Sequence, residues 1–216
     1  MTPAVRPGSQ PGPPGQARTR LARAAVVNAA RALFVERGFG GTTVEAISEA
    51  ADVPPATVYR LFSSKLGILK TLLDVSIAGD DAAVPVPDRP AVQALFAVED
   101  PRELLAGFVA FTRDINTRIA PLYEILAGAA RVDPEAANLL AQLGEQRRQG
   151  QRRIARTLAR RGALRAGLRA REAEDVVHAL MSPEVYRLLV VDRGWTPARY
   201  ADWLRATLVE QLLAPD

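Results

Sequence analysis

Apolar residues recur along this chain with helical spacing and give little strand signal. Leu21, Ala25, Ala29 and Leu33 fall four apart, widened by Val26, Ala30 and Phe34, and predict a first helix over 19–37. Gly38 is a stop, with the apolar Phe39 that often follows one. Thr43 can cap a short second helix with Val44, Ile47 and Ala51 inward. Ala51-Asp52-Val53 reads as a tight turn, and Asp52 tolerates the left-handed backbone such turns need. Val58, Leu61 and Phe62 line one side of a third helix, which turns Pro55, Ala56, Tyr59 and Arg60 outward and leaves Thr57 at the margin. A fourth helix starts at Ser63 or Ser64, carries Leu66, Leu69 and Leu73 inward and ends near Gly79.

Pro85, Pro87 and Pro90 prevent a helix throughout 80–90. Beyond them the pattern predicts helices from Asp100-Pro101 to about Ala120, from Pro121 to about Gly128, and from Asp133-Pro134 to about Arg161. Two more are expected, from Ala170 to about Asp192 with a disturbance at Ser182-Pro183, and from Thr196-Pro197 to about Leu213. The expected class is all-α. The expected divisions are a disordered arm over 1–17, rich in Pro, Gly and Gln, a helix-turn-helix domain over 18–79, and a helical domain over 91–216.

Two short helices joined by a tight turn, the second presenting an aromatic hydroxyl and a guanidinium, are what a DNA major groove accepts. The order of residues from about Arg23 to Leu73 resembles the TetR family of transcriptional regulators. The resemblance runs through Phe34-Val-Glu-Arg-Gly-Phe39, Thr42-Thr43, Ala51-Asp-Val53, Thr57-Val-Tyr59, Phe62 and Ser64-Lys65. It implies a three-helix DNA-binding domain followed by a helical ligand-binding and dimerisation domain. It also implies a palindromic double-stranded DNA operator, a homodimer, and repression relieved by a small molecule. The DNA-contacting set it points to is Thr42, Thr43, Pro54, Pro55, Thr57, Tyr59, Arg60 and Lys65, with Lys65 on phosphate. Two departures stand out: Asp52 and Ala56 replace the family's usual glycines, and Pro54 replaces a Ser or Thr. Pro54-Pro55 suits a helix start but lacks a capping hydroxyl, and Pro55 cannot hydrogen-bond to a base. Base reading then rests on Thr57, Tyr59 and Arg60.

Charge sharpens this picture. Residues 1–78 hold nine Lys and Arg against five Asp and Glu, whereas 79–216 hold nineteen of each. The whole excess of four positive charges lies on the DNA-binding end, where attraction to phosphate requires it. With no cysteine, disulfides, thiolate metal sites and cysteine nucleophiles are excluded. His178 is the single histidine, and no carboxylate cluster accompanies it, so neither a metal nor any other cofactor is expected. Ser182 lies four residues from His178 on one helix, without the strand-turn-helix elbow of a nucleophile, and nucleotide loops are missing. An enzyme with an accessory DNA-binding domain is therefore the weaker alternative, and a ligand-independent architectural protein is another. No run of about 18 apolar residues suggests a membrane span, and the N-terminus lacks an apolar signal region, which leaves a cytoplasmic expectation.

In the C-terminal part, Phe108, Phe111, Tyr123, Leu126, Leu143, Arg147, His178 and Met181 are the candidate lining of a largely apolar ligand pocket. Arg147 sits in a basic run, 147–161, that otherwise reads as a solvated face. Apolar residues on more than one face of the last two helices suggest a dimer interface through Val177, Leu180, Val185, Leu188, Leu204, Leu208 and Leu212.

Overall fold

The computed structural model describes residues 14–80 and 84–215. Among them the regular structure is helical, apart from one isolated antiparallel bridge between Leu164 and Leu213. The chain forms two compact units that divide between Thr71 and Leu72. The expected arm falls mostly outside the described residues; its last four, 14–17, are instead the opening turn of the first helix.

The N-terminal unit holds helices α1 (Pro14–Arg37), α2 (Val44–Ala51), α3 (Pro55–Phe62) and the start of α4 (Lys65–Ala78). Its core is Val26, Val27, Ala30, Leu33 and Phe34 of α1 against Val44, Ile47, Val58 and Phe62. The buried stripe of α1 is rotated from the expected one: Leu21 is 73% exposed. Burial of the larger Val26 and Phe34 removes more apolar surface from water than burial of Ala25 and Ala29 would. Arg23 bridges the unit, donating to the Leu61 carbonyl and the Thr71 hydroxyl and lying over the Phe62 ring.

The α3–α4 junction is tight. Ser63 has a positive φ of 65°, and a Cβ on Gly67 would stand 2.0 Å from the Phe62 carbonyl oxygen. Only glycine fits there, because backbone cannot retreat as a flexible side chain can.

The C-terminal unit contains α5 (Pro90–Ala97), α6 (Pro101–Ala129), α7 (Pro134–Arg160), α8 (Ala170–Leu180), α9 (Pro183–Tyr186) and α10 (Pro197–Leu212). A 3₁₀ turn, Val86–Asp88, precedes α5, and a π-helical segment, Arg187–Asp192, continues α9. Asp100, Asp133, Ser182 and Thr196 cap α6, α7, α9 and α10 by accepting from backbone N–H groups. Proline follows each cap at the first helical position, where its missing N–H costs nothing. The core joins Leu104, Leu105, Phe108 and Val109 of α6 to Ile154, Leu158, Val177, Tyr200, Leu204, Leu208 and Leu212.

Two expectations about elements fail here. Helix α6 runs unbroken through Pro121. A mid-helix proline costs about 3 kcal/mol, but Ile119, Ala120, Leu122 and Leu126 are buried on both sides of it, and their burial outweighs that cost. Helix α5 is not predicted from the sequence, because its first residue, Pro90, reads as part of the proline-rich break and not as a helix start. Arg161 holds its far end, donating to the carbonyls of Phe96, Val98 and Glu99.

Candidate functional site

The turn between α2 and α3 is fixed by local chemistry. Asp52 takes left-handed backbone at φ 51°, ψ 44° and closes α2. The buried Ser48 hydroxyl donates to the Val53 carbonyl at 2.6 Å, a bond within the turn that apolar periodicity does not reveal. Pro54 occupies the N-cap of α3 and, as its side chain requires, makes no capping hydrogen bond. Val58 and Phe62 are buried while Pro54, Pro55, Ala56, Tyr59 and Arg60 are exposed and Thr57 is half-buried. The outward face of α3 therefore carries one hydroxyl, one phenol and one guanidinium on an eight-residue helix. Tyr59 donates to Glu45 Oε1 at 3.3 Å, and the Glu45 charge pushes its phenol pKa up.

Thr43 is exposed, and its hydroxyl accepts from the Ala46 N–H as the α2 cap. Thr42, expected on the DNA surface, is fully buried; its hydroxyl donates to the carbonyls of Leu33 and Gly38. It ties α1 to the loop that follows and cannot reach DNA. Lys65 also departs from expectation. Its ammonium donates to the carbonyls of Phe39 at 2.6 Å and Thr42 at 2.8 Å, and lies 4.3 Å from the centre of the Phe39 ring. It binds the α1–α2 loop to the start of α4.

In the C-terminal unit the expected pocket residues separate into two groups. Phe108 and Phe111 join Phe96 in an aromatic cluster, with ring centroids 6.1 and 6.4 Å apart. Arg153 covers Phe96 at 3.9 Å. Leu126, Leu143 and Met181 are buried.

Tyr123, Arg147 and His178 meet in a polar group that spans α6, α7, α8 and α9. Arg147 Nη2 lies 3.3 Å from His178 Nε2, and His178 Nδ1 lies 2.8 Å from Gln151 Oε1. The Tyr123 hydroxyl donates to Glu184 Oε1 at 3.1 Å, and Glu184 Oε2 stands 4.0 Å from Arg147 Nη1. Burial, and then the Glu184 charge, push Tyr123 up to about 12. Burial, reinforced by Arg147, lowers His178 below its ordinary value. Gln151 and Glu184 were missed. Gln151 is a neutral side chain inside a basic run, and Glu184 lies 61 residues from Tyr123, so no local signal marks either. Among the described residues no group of three or more His, Cys, Asp and Glu is placed to hold a metal, and no helix is long and apolar enough to cross a membrane.

The expected interface residues also need correction. Val177, Leu204, Leu208 and Leu212 are fully buried within the chain's own core and are not available to a partner. An apolar excess on two helix faces was absorbed by α6 and α7 packing on them. Leu180 and Val185 are half-buried; Leu188 and Val191 remain 50% and 59% exposed.

Residues 26–72, from within α1 to within α4, match the model of the tetR family of bacterial regulatory proteins. That segment is a TetR-type DNA-binding region. The chain is 26% identical over 177 residues to YdeS of Bacillus subtilis, an uncharacterized HTH-type transcriptional regulator, covering 82% of each chain. It shares its fold with NalD of Pseudomonas aeruginosa, the secondary repressor of the MexAB-OprM multidrug efflux pump: TM-score 0.67, 21% identity, 90% of this chain and 98% of that one. It shares it equally with SmeT in a complex with triclosan: TM-score 0.69, 18% identity, 89% and 91% covered. The matched segment supports the role of a DNA-binding regulator.

Proposed function

We propose that this protein is a cytoplasmic repressor that binds a palindromic operator as a homodimer and leaves it when a small molecule occupies the C-terminal unit. The observation that carries the DNA half is the exposed face of α3, with Tyr59 and Arg60 outward on a helix anchored by Val58 and Phe62. Arg60 reads a base edge, because an arginine fork matches guanine O6 and N7. Pro54, Pro55 and Thr57 contribute apolar and weaker polar contacts, and Thr43 approaches phosphate. Thr42 and Lys65 act by holding the α1–α2 loop in place.

The dimer forms through the surface that stays apolar after folding, Leu180, Val185, Leu188 and Val191. Two recognition helices then address major grooves about 34–36 Å apart. Ligand shifts the population to a form in which that spacing is lost. The described repressor NalD and the triclosan-bound SmeT support this reading, since both share the fold. Tyr123, Arg147 and His178, with Leu126, Leu143 and Met181, are the proposed ligand-facing set, and the Phe108 and Phe111 cluster lies apart from them in the same unit.

Selection of bound sequences from random DNA tests the first half. A palindrome whose half-sites lie one helical turn apart is the expected product. Recovery of no preferred sequence would leave an architectural protein instead. Titration of the selected operator with a panel of metabolites tests release; an operator affinity that no compound changes would remove the sensing half.

A further inference from the structure

We propose that Arg147 anchors the carboxylate of a ligand whose remainder is apolar. This rests on the ligand-sensing reading above and names the chemistry of its site. The inference starts from the direction of hydrogen bonds. An arginine can only donate, so His178 Nε2 accepts from Arg147 Nη2. The imidazole proton is then on Nδ1, which donates to Gln151 Oε1. This makes the imidazole neutral, in keeping with the lowered pKa that burial gives it. Within the group only the Arg147 guanidinium is positive; Arg148 and Asp175 act on the imidazole from outside it, with opposite signs.

That charge is not fully answered. Arg147 Nε and Nη1 are buried and have no hydrogen-bond partner. Glu184 Oε2 is 4.0 Å from Nη1, which is attraction without a hydrogen bond. The Glu184 side chain is 59% exposed, and its other oxygen already accepts from Tyr123. Buried donors without partners are costly, and hydrogen bonds between ions are the strong ones. An incoming carboxylate removes that cost at Nη1 and displaces an exposed side chain that can turn to water.

The surroundings set the rest of the ligand. Leu143 is one turn before Arg147 on α7, Leu126 lies three residues from Tyr123, and Met181 three from His178; all three are buried. The turns next to each polar residue are thus apolar, which favours a ligand whose remainder is hydrocarbon. One guanidinium beside a neutral imidazole and a nearby carboxylate suits a monoanion; a phosphate dianion would bring a second charge against Glu184.

Calorimetric titration of the full chain tests this with decanoate, phenylacetate and 1-naphthoate, each paired with its primary amide. At least one acid is expected to bind about tenfold or more tightly than its amide. Arg147→Gln should erase that preference, and Glu184→Gln should strengthen the acid several-fold while leaving the amide unchanged. Equal affinity within every pair, binding by none of the acids, or a preference that survives Arg147→Gln would overturn the proposal. Should Arg147→Gln fail to fold, Glu184→Gln decides alone: an unchanged acid affinity overturns it. Operator release followed by anisotropy separates the two readings. Acid preference without release upholds the Arg147 site and sinks sensing; release by acid and amide alike sinks the Arg147 site and upholds sensing.

Discussion

In the N-terminal unit Thr42, Ser48 and Lys65 all direct their donors at backbone carbonyls, and their bonds fix the α1–α2 loop and the α2–α3 turn. In the C-terminal unit Arg147 keeps two buried nitrogens without hydrogen-bond partners, and burial pushes Tyr200 up to about 12. The first arrangement suits a surface that must present one geometry to DNA. A buried donor that is already satisfied gains nothing from a rearrangement. The second arrangement leaves free energy that a ligand or a shift can recover. The difference separates a platform from a responsive core, and the following changes test it, from the largest effect to the smallest.

Leu208→Asp should unfold the C-terminal unit. It buries a charge where the wild-type leucine is fully covered, and the loss should exceed about 4 kcal/mol. Loss of helical circular dichroism checks it. Leu188→Asp, at a half-exposed position, should keep its helix content and sediment as a monomer. A folded, monomeric Leu208→Asp would mean that this leucine faces a partner after all.

Gly67→Ala strikes the platform. The added methyl meets the Phe62 carbonyl at 2.0 Å, so the α3–α4 junction must open. Destabilisation of about 3 kcal/mol is expected in urea melts, with DNA binding lost alongside. A wild-type melting curve would show that the junction is slack.

Arg60→Ala should cost about 1–3 kcal/mol on the preferred operator and relax one base pair per half-site. Lys65→Met should behave differently. It removes two hydrogen bonds to the loop, worth about 1–3 kcal/mol of stability for a charged donor, and changes the salt dependence of DNA binding by less than about one unit. A fall of a full unit with unchanged stability would return Lys65 to the phosphate backbone.

The smallest effect concerns acid. His178 titrates below its ordinary value in the folded chain, so the unfolded chain takes up the proton first. The stability tied to its neutral form is complete above the unfolded value of about 6.5 and is lost as pH falls toward the folded value. His178→Gln should flatten the dependence of urea-melt stability on pH as pH falls below about 6.5. An unchanged pH slope would show that the imidazole is not held neutral by the Arg147 group.

The helix-turn-helix was legible because its signals are local. Asp52 in a left-handed turn, Thr43 as a cap and Val58 with Phe62 inward all follow from spacing within a dozen residues. The sequence misplaces Thr42 because a threonine beside a cap can face either way, and one of the two carbonyls that accept from it, that of Leu33, is nine residues back. Leu204, Leu208 and Leu212 were assigned to a partner because apolar faces on a sequence do not say which helix covers them. Arg147 and His178 were recognisable as unusual residue types in an apolar region. Their contact across 31 residues was not.

The sequence by itself determined the all-α class, the motif that addresses DNA and the concentration of positive charge at that end. These follow from periodicity, capping and composition, which act over one or two turns. The tertiary structure decided that α6 passes through Pro121, that Lys65 serves a loop, and that the last helix fills its own unit's core. It also decided that a guanidinium, an imidazole, a phenol and a carboxylate meet among buried leucines. Those outcomes depend on which distant surfaces exclude water together, and burial energy summed over several helices outweighs any local preference.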